Sequence, residues 1–138
     1  MKIGASTLAT FKNSLDDSLE FIESLGIKYV ELLHQYPTEE FDLDVLNSFN
    51  LDYTIHAPFM DVNIAALGSK SRANSIEQIK DSIDLANRID AKVVVVHPGL
   101  VPFLLKETPE KIYPVAHESI KKLGEYSKDL GVDTTIEN

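Results

Sequence analysis

Two histidines and a glutamate stand where an enzyme built on a parallel sheet keeps its ligands. His56 closes the run DYTIH, His97 closes KVVVVH and Glu137 closes VDTTIE, so each ends a strand-like stretch. They fall roughly 40 residues apart, the order of one strand–helix unit, and parallel α/β sheets gather their chemistry at the carboxyl ends of the strands. The spacing therefore makes neighbours of three distant residues. Neutral imidazole nitrogens and a carboxylate are borderline-hard ligands suited to Zn, Mn, Fe or Co. Three of them on adjacent strand ends can face one divalent ion and leave positions open for water or substrate. The plainer readings are a loop hydrogen bond for each His and an ordinary carboxylate near the chain end for Glu137. The sequence stops at Asn138, and we expect it to be part of an enzyme rather than all of one.

The elements that must position these residues alternate. Strands are expected at Lys2 to Ser6, Lys28 to His34, Leu51 to His56, Lys92 to His97 and Val132 to Glu137. Between them, Leu15, Leu19, Ile22 and Leu25 follow helical spacing, with Ser14 as N-cap and Gly26 as the stop. A short helix is expected over Asp42 to Phe49. The clearest helix, Ser71 to Ile89, carries the stripe Ile76, Ile79, Ile83, Ala86 and Ile89. Thr108, Pro109 and Glu110 open a fourth helix with Thr108 as its cap. Pro114 divides it into an initial turn and a main body from about Pro114 to Leu130, ended by Gly131. Four consecutive valines, Val93 to Val96, predict a strand buried on both faces.

Composition excludes more than it proposes. The net charge of −9 argues against wrapping nucleic acid. No cysteine means no disulfide framework, no thiolate metal site and no cysteine nucleophile. No run reaches membrane-spanning length and MKIGASTLATFKNS lacks an apolar signal core, so the default location is the cytoplasm. Length and patterning suit one domain over residues 1–138, without a linker.

Strand–helix alternation leaves a doubly wound sheet or a (β/α)8 barrel. The first strand-to-helix loop, STLATFKN, lacks the Gly-rich phosphate turn of a dinucleotide fold. Strand parity puts Thr54 with His56, Val93 and Val95 with His97, and Asp133 and Thr135 with Glu137, as a barrel interior requires. Such a barrel takes roughly 250 residues, so the expectation is an incomplete N-terminal part with about five parallel strands and four helices. Its inner face and edges would lack cover, making a lone monomer marginal. A homodimer or a missing C-terminal half would then complete it.

Other polar residues are weaker candidates for lining the site. Glu31 and His34 have opposite parity, so at most one faces the crevice, with Glu31 preferred. Arg72, opening a long helix, suits an anionic group or a surface ion pair. Asn63 and Asp61 line the mouth or cap their loop. Gly99 after Pro98 most simply makes a turn, and His117 is a surface or packing residue.

The segments IHAPFMDVNIAAL, then Arg72 and Ser75, VVVVHPG and IEN together resemble the xylose isomerase-like barrel superfamily. That superfamily includes endonuclease IV and many sugar or sugar-phosphate isomerases and epimerases. The resemblance covers essentially the whole chain and the N-terminal part of such proteins. It implies that the match to Glu137 ligates a metal and serves as acid/base in the isomerase branch. In the endonuclease branch, the matches to His56, His97 and Glu137 share a zinc, and the Glu bridges to a second. Both branches draw further ligands from later strands.

Three functions follow. The leading one is a divalent-metal-dependent isomerase or epimerase acting on a small sugar or sugar phosphate, with Glu137 moving the proton. The alternative is a zinc-dependent apurinic/apyrimidinic DNA repair endonuclease, for which Phe59 and Met60 fall where that enzyme wedges apolar side chains into DNA. The presence of both histidines leans that way. The acidic charge leans against DNA, as does one extra residue between Phe59 and Asn63 relative to the nuclease pattern. The third is a non-catalytic half-barrel that binds a partner or itself.

Overall fold

Alternating sequence becomes alternating structure in a computed structural model that describes residues 2–35, 40–101 and 109–137. Its elements are β1 (Gly4–Ser6), α1 (Leu15–Ser24), β2 (Tyr29–Leu33), α2 (Leu43–Ser48), β3 (Asp52–His56), α3 (Ser69–Arg88), β4 (Val93–Val96), α4 (Tyr113–Asp129) and β5 (Asp133–Ile136). Short 3-10 turns at Thr7–Thr10 and Pro109–Lys111 precede α1 and α4.

Local chemistry sets the helix ends. Ser14 Oγ accepts from the backbone N–H of Asp17 at 3.2 Å and starts α1. Gly26, at φ +72°, follows its last turn, a conformation that costs glycine little. Asp42 caps α2 through the N–H of Asp44. Pro114 lies in the first turn of α4, where a missing N–H breaks no helical bond. Helix α3 begins at Ser69, two residues before the expected start, behind Gly68. The expected Thr108 cap lies outside the described residues.

All five strands are parallel and pair in the order β1-β2-β3-β4-β5. A doubly wound sheet reverses its strand order at the ligand crevice. A sheet that advances one strand at a time is curling toward a barrel. This sheet is an arc of five strands, a (β/α)8 barrel in part.

The apolar core lies between that arc and its helices. Val30, Leu32, Ile55, Val94 and Val96 turn outward and bury against Leu19, Ile22, Leu46, Ile79, Ile83 and Leu123. Buried Ser119 of α4 donates to the carbonyl of Ile64 at 2.7 Å, which ties that helix to the loop after β3. The opposite face is open and largely polar. Ser6, Glu31 and Thr54 are in register across β1 to β3, and His56, Val95 and Thr135 across β3 to β5. This corrects the expectation of a strand buried on both sides: Val94 and Val96 are covered, whereas Val93 and Val95 are half-buried. A valine run records that a strand is apolar without recording which face has a second layer. No described helix is long and apolar enough to cross a membrane.

Candidate metal centre

His56 ends β3, His97 follows the last residue of β4, and Glu137 follows the last residue of β5. The ladder runs on past the strands: Ala57 N–H donates to the Val95 carbonyl at 2.9 Å, and Glu137 N–H to the Val96 carbonyl at 3.0 Å. Those bonds bring the three side chains to one rim of the open face. One ligand atom from each lies within 4.8 Å of the others.

The histidine tautomer follows from its neighbour. His56 Nδ1 lies 2.8 Å from the carbonyl oxygen of Ala57. A carbonyl only accepts, so Nδ1 carries the proton and Nε2 presents its lone pair to the site. A metal-bound imidazole is commonly oriented this way, its second nitrogen donating to a backbone carbonyl. His56 Nε2 also lies 3.4 Å from Glu137 Oε2. Two acceptors facing each other at that distance need a proton or a cation between them. The donor set, the tautomer and this contact all fit a divalent ion.

Phe59 braces the imidazoles. Its ring centroid is 5.4 Å from that of His56, edge-on, and 5.3 Å from that of His97, while the two imidazoles are 5.2 Å apart. Beside this group, Thr7, Leu8, Phe11, Leu33, Phe59 and Met60 line a mainly apolar cleft of about 310 Å³.

The remaining candidates are spread over the fold. Glu31 faces the open side, beside Thr54 and one step further from the rim than His56. His34 turns the other way and meets Ser82 Oγ of α3 at 2.7 Å, in a separate cleft on the helical side. Asn63 staples two loops: its Oδ1 accepts from Ala65 and Leu100 N–H, and its Nδ2 donates to the Leu100 carbonyl. Arg72 donates to the carbonyls of Ala66 and Leu67. Both side chains are engaged in holding loops. Gly99 does more than turn the chain: a Cβ there would stand 2.5 Å from Asn63 Oδ1 and 2.8 Å from Ala65. Sequence reasoning passed over Gln35, whose carbonyl oxygen accepts from the N–H groups of Phe59 and Met60. Nothing in its spacing sets it apart, because its partners lie in a different loop.

Known proteins resemble this chain over its whole length. It is 35% identical to the uncharacterized protein MJ1614 of Methanocaldococcus jannaschii, covering all of this chain and 56% of that one. A crystal structure of a D-tagatose 3-epimerase-like protein superposes with a TM-score of 0.87 at 28% identity, covering 100% of this chain and 53% of the other. D-psicose 3-epimerase shares the fold, with a TM-score of 0.79 at 15% identity over 99% of this chain and 52% of its own. The chain thus spans about half the length of the proteins it matches. The family described as xylose isomerase-like TIM barrel matches residues 19–138, and to that family this chain belongs.

Proposed function

We propose that this chain supplies three ligands of a divalent-metal centre and one wall of the active site of an isomerase or epimerase for a small sugar or sugar phosphate. The observation that carries this reading is the convergence of His56, His97 and Glu137 at the rim of the open face. Two imidazole nitrogens and a carboxylate suit Zn, Mn or Co. When bound, the ion polarises neighbouring carbonyl and hydroxyl oxygens. The Ala57 carbonyl keeps the proton on His56 Nδ1 and so reserves Nε2 for binding. Glu137, 56% exposed, is accessible to substrate and takes or returns the proton at the carbon beside the sugar carbonyl. Phe59 shields one side of the imidazoles from water.

The named epimerase-like relative, at 28% identity, supports the sugar substrate class. The rival DNA-repair reading asks Phe59 and Met60 to wedge between bases. Phe59 is already seated against both imidazoles, which leaves Met60 alone exposed for that task. We assign the rest of the wall to three further strand–helix units, since a second five-strand copy would overfill an eight-strand barrel. A cytoplasmic site of action is part of the same proposal.

Elemental analysis after loading with Zn²⁺ or Mn²⁺ and dialysis tests the centre. One ion per chain is expected, with loss of that ion in the His56→Ala/His97→Ala double variant. Equal metal content in the two proteins would sink the proposal.

A further inference from the structure

The loop between β3 and α3 carries Phe59 to the metal centre, and its backbone has a short inventory of donors. Ala57 N–H is spent on the Val95 carbonyl. Pro58 has none. The N–H groups of Phe59 and Met60 both go to a single atom, Gln35 Oε1, at 2.8 and 2.9 Å. One side-chain oxygen from just past β2 therefore satisfies every remaining donor from Ala57 to Met60. The loop then leaves through Asp61 at φ +58°, a left-handed conformation that a non-glycine residue keeps only when its surroundings hold it there.

The orientation of the amide is settled by its partners. Both contacts come from N–H donors, so the oxygen must face them. The price is visible at the other end of the group: Gln35 is 6% exposed, and its Nε2 is buried without a hydrogen-bond partner among the described residues. An apolar side chain would avoid that unmet donor. What the amide uniquely supplies is the acceptor.

We propose that Gln35 is a positioning residue for the metal centre: it pins Phe59 against His56 and His97 and so fixes the direction of both imidazoles. The chain of contact is short. Gln35 holds the backbone of Phe59, and the Phe59 ring lies 5.4 and 5.3 Å from the two imidazole centroids. The effect runs through the loop, because the contacts of Gln35 are with backbone and not with either histidine. This proposal rests on the metal reading above.

The test uses ring-proton NMR of the histidines in the metal-free chain and Co²⁺ titration followed by its visible absorption. Gln35→Met, close in size but without the acceptor, should move the His56 and His97 resonances and leave that of His117, on α4, in place. It should also weaken Co²⁺ binding roughly tenfold and alter the absorption bands, as expected when a ligand loses its supporting contact. Gln35→Glu keeps an oxygen at the same reach in either protonation state and should restore both signals. Phe59→Leu, which removes the ring and its ring current outright, should also move both resonances, and adding Gln35→Met to it should change little further. A parent chain that takes up no Co²⁺ overturns the metal reading, and this proposal with it. Parent-like histidine signals and Co²⁺ spectrum in Gln35→Met overturn this proposal alone. Should Gln35→Met fail to fold, Gln35→Asn, which withdraws the same amide by one methylene, takes its place: its histidine signals must leave the parent's and those of Gln35→Glu must not, and any other pattern overturns it.

Discussion

His56 Nε2 and Glu137 Oε2 confront each other at 3.4 Å across the intervening strand β4, with the imidazole proton drawn to the far nitrogen by the Ala57 carbonyl. A bound cation would turn this acceptor pair into a ligand pair. Glu137→Gln keeps the size and removes the charge, so Zn²⁺ affinity should fall by roughly tenfold or more. Competition against a chromophoric chelator measures this. Affinity equal to the parent would remove Glu137 from the ligand set. Because the side chain is 56% exposed, the unfolding midpoint should barely move.

Gly99→Ala should destabilise the fold. The position has φ +96°, and the new Cβ would meet Asn63 Oδ1 and the backbone nitrogen of Ala65. Strain plus the displaced Asn63–Leu100 staple should cost on the order of 2–4 kcal/mol in urea unfolding. A change within about 0.5 kcal/mol would mean the loop relaxes freely.

Alkaline stability should depend on Tyr53. Its hydroxyl donates to the Leu46 carbonyl, and burial, helped by the nearby Glu23 carboxylate, pushes its pKa up to about 12. The unfolded side chain ionises near 10. Below pH 10 the stabilising contribution is fully present. Between pH 10 and 12 the unfolded chain releases the proton more readily, so stability falls as pH rises. Tyr53→Phe should flatten that decline, leaving a smaller part for Tyr126, whose pKa is raised mainly by its hydrogen bond to Asp84. Equal slopes in urea midpoint against pH would contradict the assignment.

The purified 138-residue chain should show little or no isomerase or nuclease turnover with added Zn²⁺, Mn²⁺ or Co²⁺. Its open face offers three ligands and one wall. A rate near about 1 s⁻¹, ordinary for enzymes, would mean that these residues suffice.

Much of this architecture is legible in the sequence because it follows from short-range rules. Ser14 and Gly26 bracket α1, and strand parity places Glu31 and His34 on opposite sides of the sheet. The spacing of His56, His97 and Glu137 is equally local, one residue type at each strand end. What the sequence conceals depends on chain segments meeting in space. Gln35 acquires its role from a loop some 24 residues on, Asn63 from Leu100, and Phe59 from two rings on neighbouring strands. The half-covered state of β4 was hidden for the same reason, since burial belongs to the layer opposite and not to the valines.

The division of the sheet into a covered outer face and a polar inner one bears on how such a protein is made. Most of the largest buried side chains, Leu19, Leu32, Leu46, Ile55, Ile79, Ile83 and Leu123 among them, are enclosed between strands and helices within these residues. A nascent chain can therefore close most of this greasy layer from these residues alone, with Ile136 at the β5 edge left 40% exposed. On the inner face Thr135 is exposed and Ser6, Glu31 and Thr54 are half-buried, so that face gives aggregation few apolar footholds. The outer edges of β1 and β5, by contrast, are unpaired among the described residues. Substitutions confined to that inner face should then disturb the fold less than substitutions in the covered layer.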